Sequence, residues 1–169
     1  MLKRMLKRIL KIKKQLILAG IWLFFLQISP VLAEEIRYVS IQTIQGIVEV
    51  RQNNGDWKPA QNGTILYQHD EIRTGKGAYA QVLIDRDADT GSLEIKEKTR
   101  MRFNTLEKNK QTQEKTTLLD VAIGRIMVHV EKLKGASRFE ANTATTTMGV
   151  RGTTIEVIVT GEKTEEKSL

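Results

Sequence analysis

Residues 78–84 read Ala78-Tyr79-Ala80-Gln81-Val82-Leu83-Ile84. Ala78, Ala80, Val82 and Ile84 share one parity, and Tyr79, Gln81 and Leu83 share the other. Successive side chains of a strand point to opposite faces, so this period of two describes a strand with one buried face. The same period runs outward in both directions. Val48 and Val50 alternate with Glu49 and Arg51, Leu93 and Ile95 with Glu94 and Lys96, and Met101 and Phe103 with Arg100, Arg102 and Asn104. Farther on, Ile126, Val128 and Val130 alternate with Arg125, Met127 and His129, and Ile155, Val157 and Val159 with Thr154, Glu156 and Ile158. β-Branched residues are plentiful in these runs and suit a pleated surface. No stretch after residue 33 has a convincing helical period.

Turn chemistry separates the runs. Asn53-Asn54-Gly55-Asp56 offers residues that tolerate positive φ and predicts a hairpin turn. Gly63, Gly75, Gly77, the stretch from Asp87 to Gly91, Gly135 and the stretch from Gly149 to Gly152 punctuate the rest. Pro59 is placed in a connection, and the polar run from Glu107 to Lys115 at a long hairpin tip. Thr143, Thr145 and Thr147 read as one face of an exposed strand. The expected fold is all-β. Its short strands take a solenoid-like or two-layer sandwich arrangement, preceded by an N-terminal signal helix.

The chain has 169 residues, 27 Lys+Arg, 20 Asp+Glu and a net charge of +7. Such a balance suggests a nucleic-acid binder, but the excess is local. Lys3, Arg4, Lys7, Arg8, Lys11, Lys13 and Lys14 lie within residues 1–33 without an acid, which leaves 20 basic and 20 acidic residues in 34–169. No nucleic-acid partner is expected. After the basic stretch comes an apolar run from Leu16 to Ile28, then Ser29-Pro30 and Val31-Leu32-Ala33. Basic, apolar, then small residues is the order of a secretory signal peptide, with cleavage between Ala33 and Glu34. The alternative is an uncleaved anchor, since Leu16 to Ala33 is 18 residues, near the lower limit of a membrane span. Membrane contact is therefore expected only through this N-terminal segment, during export or as an anchor. The expected location is periplasmic or secreted. The absence of Cys excludes disulfides, Cys-held metal and Cys nucleophiles.

The order of the remaining residues resembles a known family. Gly46-Ile-Val48-Glu-Val50, Trp57-Lys-Pro-Ala60 and Asp70-Glu-Ile72-Arg-Thr74-Gly75 come first. Gly124-Arg125-Ile126-Met-Val128, Phe139-Glu-Ala-Asn-Thr143 and Gly149-Val150-Arg151-Gly152-Thr153 follow. This series over about residues 43–160 resembles the FecR domain, the periplasmic sensory part of iron-uptake transmembrane signalling proteins. The resemblance implies an all-β domain with a non-enzymatic role in protein recognition or signal relay at the cell envelope. Full regulators of that family carry a helical anti-sigma domain before the membrane segment and a further small domain after the FecR domain. Here 15 residues precede the apolar run and the chain stops at Leu169, so a stand-alone exported module is expected. The resulting division is a signal peptide at 1–33, a FecR-like β domain at 34–160 and a polar tail at 161–169.

Four groups of residues are candidates for chemistry. Arg151, between Gly149 and Gly152, either caps backbone carbonyls or meets a carboxylate or phosphate of a partner. Trp57 either closes the edge of the core or anchors a partner or sugar. Asp85, Asp87 and Asp89 alternate as Ca²⁺ ligands would, although Gly91 and Lys96 depart from the EF-hand spacing; the plainer reading is an acidic hairpin tip. His69 and His129 lack a His-x-x-x-His spacing, and no Gly-x-Ser-x-Gly elbow or phosphate loop occurs, so catalysis is not expected. The expected role is an exported, non-enzymatic module that binds an unidentified envelope protein or senses a signal. The alternatives are a glycan- or cell-wall-binding accessory domain and a membrane-anchored regulator in iron-uptake-type signalling.

Overall fold

The structure is a computed structural model that describes residues 36–160. The expected signal segment 1–33, its cleavage point at Ala33 and Glu34, and the polar tail 161–169 lie outside the described residues. In chain order the strands are β1 (Val39–Gln45), β2 (Val48–Arg51), β3 (Trp57–Pro59), β4 (Ile65–Leu66), β5 (Glu71–Thr74) and β6 (Tyr79–Ile84). After a 3-10 turn at Arg86–Ala88 come β7 (Gly91–Ile95), β8 (Arg100–Lys108), β9 (Lys115–Val130), β10 (Arg138–Asn142), β11 (Thr147–Val150) and β12 (Thr154–Val159).

The all-β expectation holds, and the arrangement is one curled antiparallel sheet, a half-barrel. Four long stretches of chain run up and down beside one another, each bent in its middle. β1 pairs with β6 while β2 pairs with β5; β6 pairs with β7 while β5 pairs with β8; β7 and β8 both pair with β9. The bends lie side by side and are tied by backbone bonds. Gly75 N–H donates to Ile47 O at 2.9 Å, Lys98 N–H to Gly75 O at 3.1 Å, and Lys96 N–H to Arg125 O at 3.0 Å. The sheet thus folds along a line into two arms. One arm runs β4-β1-β6-β7, the second half of β9, then β12; the other runs β3-β2-β5-β8, the first half of β9, then β10 and β11.

Gly124 makes the bend of β9. Its φ is +107°, and a Cβ there would lie 2.3 Å from Thr99 Oγ1 and 2.4 Å from Thr99 Cα. That is a conformation and a space only glycine accepts. Because β9 crosses from arm to arm without a break, the arms are parts of one sheet and not the separate layers of a sandwich. A solenoid-like coil is also not what forms, since stacked coils need parallel neighbours and β9 with β10 is a parallel pair among antiparallel ones.

The inner faces of both arms meet in the core. Val39, Ile41, Ala80, Val82, Ile84, Leu93 and Ile95 come from the first arm, and Val48, Val50, Ile72, Met101, Phe103, Leu119, Phe139 and Ala141 from the second. These are the apolar parities read from the sequence. At about 25 cal/mol per Å² of apolar surface, this shared face is the main stabilising contribution. Asn53 and Asn54 have φ of 51° and 56°, and Gly55 N–H donates to Gln52 O at 2.9 Å, which makes the expected hairpin between β2 and β3. The polar tip narrows to the six residues between Lys108 and Lys115.

Two local expectations fail. Pro59 ends edge strand β3 instead of lying in a connection; an edge tolerates its missing N–H. Thr143 and Thr145 do not share a strand with Thr147. They form a turn in which Thr143 Oγ1 accepts the N–H of Thr146 at 3.1 Å and Thr143 N–H donates to Thr146 O at 2.8 Å. A Ser or Thr hydroxyl that satisfies nearby backbone competes with strand pairing in this way.

Away from the bend, the free ends of the arms are joined by Arg37. Its Nε and Nη2 each donate to Asp85 at 2.9 Å, at the end of the first arm. Its Nη2 also donates to Thr117 Oγ1 at 2.9 Å, and its Nη1 to Thr116 O at 2.8 Å and Glu107 O at 3.0 Å, all on the second arm.

Candidate functional site

Of the aspartates read as a calcium loop, Asp85 and Asp89 are ion-paired. Asp87 falls within the 3-10 turn. Asp85 holds Arg37, and Lys115 Nζ lies 2.9 Å from Asp85 Oδ2 and 2.5 Å from Asp89 Oδ2. The Lys115 ammonium thus lies between the carboxylates of Asp85 and Asp89 and, with Arg37, forms an ion-paired clasp. Burial pushes the Asp85 carboxyl up, but Arg37, Thr90 and Lys115 outweigh it and hold the carboxyl below its ordinary value. Lys115 is the main cause of the lowered Asp89 carboxyl.

Arg151 follows β11 and is exposed; its Nη2 donates to Gly135 O at 3.2 Å. It meets one backbone carbonyl, as the capping alternative has it. His69 and His129 lie on separate elements. His129 Nδ1 is 2.7 Å from Thr154 Oγ1 and its Nε2 3.3 Å from Glu131 Oε1, while the His69 ring meets Gln68.

Trp57 occupies a richer setting. The residues Trp57, Arg51, Glu71, Arg102, Asp120, Asn142 and Thr147 stand directly opposite one another, each on the next strand of the second arm. Their chain neighbours Val50, Ile72, Met101, Leu119 and Ala141 point into the core, so this row lies on the outer face. Three guanidinium groups gather over the Trp57 ring, with Arg73 4.3 Å, Arg51 5.1 Å and Arg100 5.7 Å from its centroid. The negative face of the indole attracts these cations.

Glu71 fixes the cluster from beneath. Its side chain is 8% exposed and accepts from Arg51 at 2.5 Å and Arg100 at 3.1 Å. Burial pushes the Glu71 carboxyl up, and Arg51 and Arg100 more than reverse this. Arg73 pairs with Glu49 at 2.8 Å. Asp70, beside Glu71, turns the other way and accepts the N–H groups of Asn53 at 3.1 Å and Tyr67 at 2.9 Å, which fixes the entry to β5.

Among the described residues, cavities open at the bend and on the outer face. That at the bend, of about 670 Å³, lies against Ala78, Tyr79, Ile123, Ile158 and Val159. That on the outer face, of about 590 Å³, lies against Glu71, Arg100, Arg102, Asp120, Asn142 and Thr143. The sequence reading singled out Trp57 but none of its arginines. Their parity marked them as outward, yet the row arises from strand register, which no local pattern carries.

A family model described as FecR protein matches residues 70–167. The match opens at the Asp70 cap and takes in β5 through β12. No curated protein and no solved structure matches the chain.

Proposed function

This chain belongs to the FecR family, and from that premise we propose that it is a non-enzymatic protein-recognition or signal-relay module of the cell envelope, with the outer face around Trp57 as its docking surface. The observation that carries this reading is the set of three guanidinium groups over one half-buried tryptophan, held in place by Glu71 and Glu49. Tryptophan and arginine dominate the binding energy of protein interfaces, because each combines a large contact area with directed polar contacts. Here both are pre-organised by strand pairing, so little side-chain freedom is lost on docking. Export is supported by the basic, apolar and small-residue order of residues 1–33.

The glycan alternative fits this face less well. A sugar ring stacks on an open aromatic face, and the Arg73 guanidinium lies 4.3 Å from the Trp57 centroid. Fluorescence separates the two readings in a W22F chain, where Trp57 is the sole tryptophan. Fractionated envelope proteins should shift its emission, and R73A/R100A should abolish the shift. Emission that responds to envelope oligosaccharides and not to protein would contradict the proposal.

A further inference from the structure

We propose that the outer-face cavity between Arg102 and Asp120 binds a small zwitterion, a ligand with an ammonium and a carboxylate group such as an amino acid or a short peptide.

Arg102 and Asp120 are direct cross-strand partners in the β8–β9 register. Opposite charges so placed ordinarily meet. Here they turn away from each other, each to neutral groups. Arg102 Nε donates to His69 O at 3.1 Å and its Nη2 to Asn54 Oδ1 at 3.0 Å. Asp120 accepts from Asn104 Nδ2 and, at 3.4 Å, from Asn142 Nδ2. The arginines around Trp57 have carboxylate partners, Arg51 and Arg100 on Glu71 and Arg73 on Glu49. This facing pair flanks the cavity of about 590 Å³, a volume suited to a small ligand.

Charge matching decides the ligand class. An anion would meet Arg102 but also Asp120 and Glu71. A cation would meet Asp120 but also Arg100 and Arg102. A neutral polyol would leave both charges without a counter-charge. A zwitterion satisfies both ends: its carboxylate takes N–H groups of Arg102 left over from His69 and Asn54, and its ammonium takes the Asp120 carboxylate. Asn142 adds a second sign of incompleteness, because its Oδ1 is buried without a hydrogen-bond partner. A donor brought into the cavity gives that amide a reason to turn.

Calorimetry on the full-length chain in detergent tests this, with L-alanine and L-alanyl-L-alanine as probes. Binding of alanine assigns a free amino acid as the ligand, and binding of dialanine alone assigns a peptide. N-acetylation or C-terminal amidation of the probe should each weaken binding by about tenfold or more, as should R102Q and D120N. The capped probes test the proposal on the unaltered protein, so it does not depend on how the variants fold. No heat from either free probe at millimolar concentration, or equal affinity for capped and free forms, would overturn it.

Discussion

Arg37 is 5% exposed, and each of its three nitrogens donates to a group on one arm or the other. Removing one partner of a buried ion pair leaves the other charged and unsolvated. Arg37→Met should therefore lower the unfolding free energy by about 3–5 kcal/mol in urea titrations; a loss below about 1 kcal/mol would show that the arms close without the clasp. Asp85 and Glu71 have lowered carboxyls in the fold, so the unfolded chain takes up protons first as pH falls. Their contribution is complete above the ordinary carboxylate range and is lost below about pH 4. Thermal midpoints should drop in that window, and E71Q should make the drop shallower; an acid limb unchanged in E71Q would contradict the role given to Glu71. This level was the least legible in the sequence. Asp85 and Asp89 looked like oxygen ligands because alternate acids have that pattern. Nothing local says that Arg37, 48 residues before Asp85, and Lys115, 26 residues after Asp89, fold onto them.

At the scale of elements, β9 explains both what could be read and what could not. Thr117, Leu119 and Val121 are buried at odd positions, and Ile126, Val128 and Val130 at even ones. The parity changes across Gly124, where the strand turns from one arm to the other and must still face the core. Sequence reading therefore found the even half as a strand of its own and missed the odd half. β1 and β2 repeat the change across Gly46, from Val39 and Ile41 to Val48 and Val50. A switch of parity at a glycine marks the fold line in these two stretches, whereas Ile72 to Ala80 and Ile95 to Met101 keep their parity across it. Gly124→Ala would place a Cβ against Thr99 at a positive φ. It should cost more than about 3 kcal/mol, through backbone strain and overpacking together. Ile126→Val in the straight part of β9 should cost only about 0.5–1.5 kcal/mol. Comparable losses in the two variants would mean that the bend is not a special point.

For the whole molecule, the basic excess of the sequence belongs to residues 1–33, and the rest of the chain has balanced charge. The FecR match covers β5 to β12, while Trp57 and Arg51 come from strands before it. The proposed docking face therefore joins residues inside the matched region with residues ahead of it. Family membership and strand alternation were legible in the sequence because both are carried by order and period. The face was not, because it is assembled by register across the second arm. Site-specific photo-cross-linking in living cells tests the face most directly. A photoreactive residue is placed at Pro59 or Arg102 on the second arm, and at Gln81 or Glu94 on the first. Our account predicts a discrete cross-linked protein from the second-arm positions, lost when R73A/R100A is added, and none from the first-arm positions. Equal cross-linking from both arms, or a second-arm product that survives R73A/R100A, would contradict it.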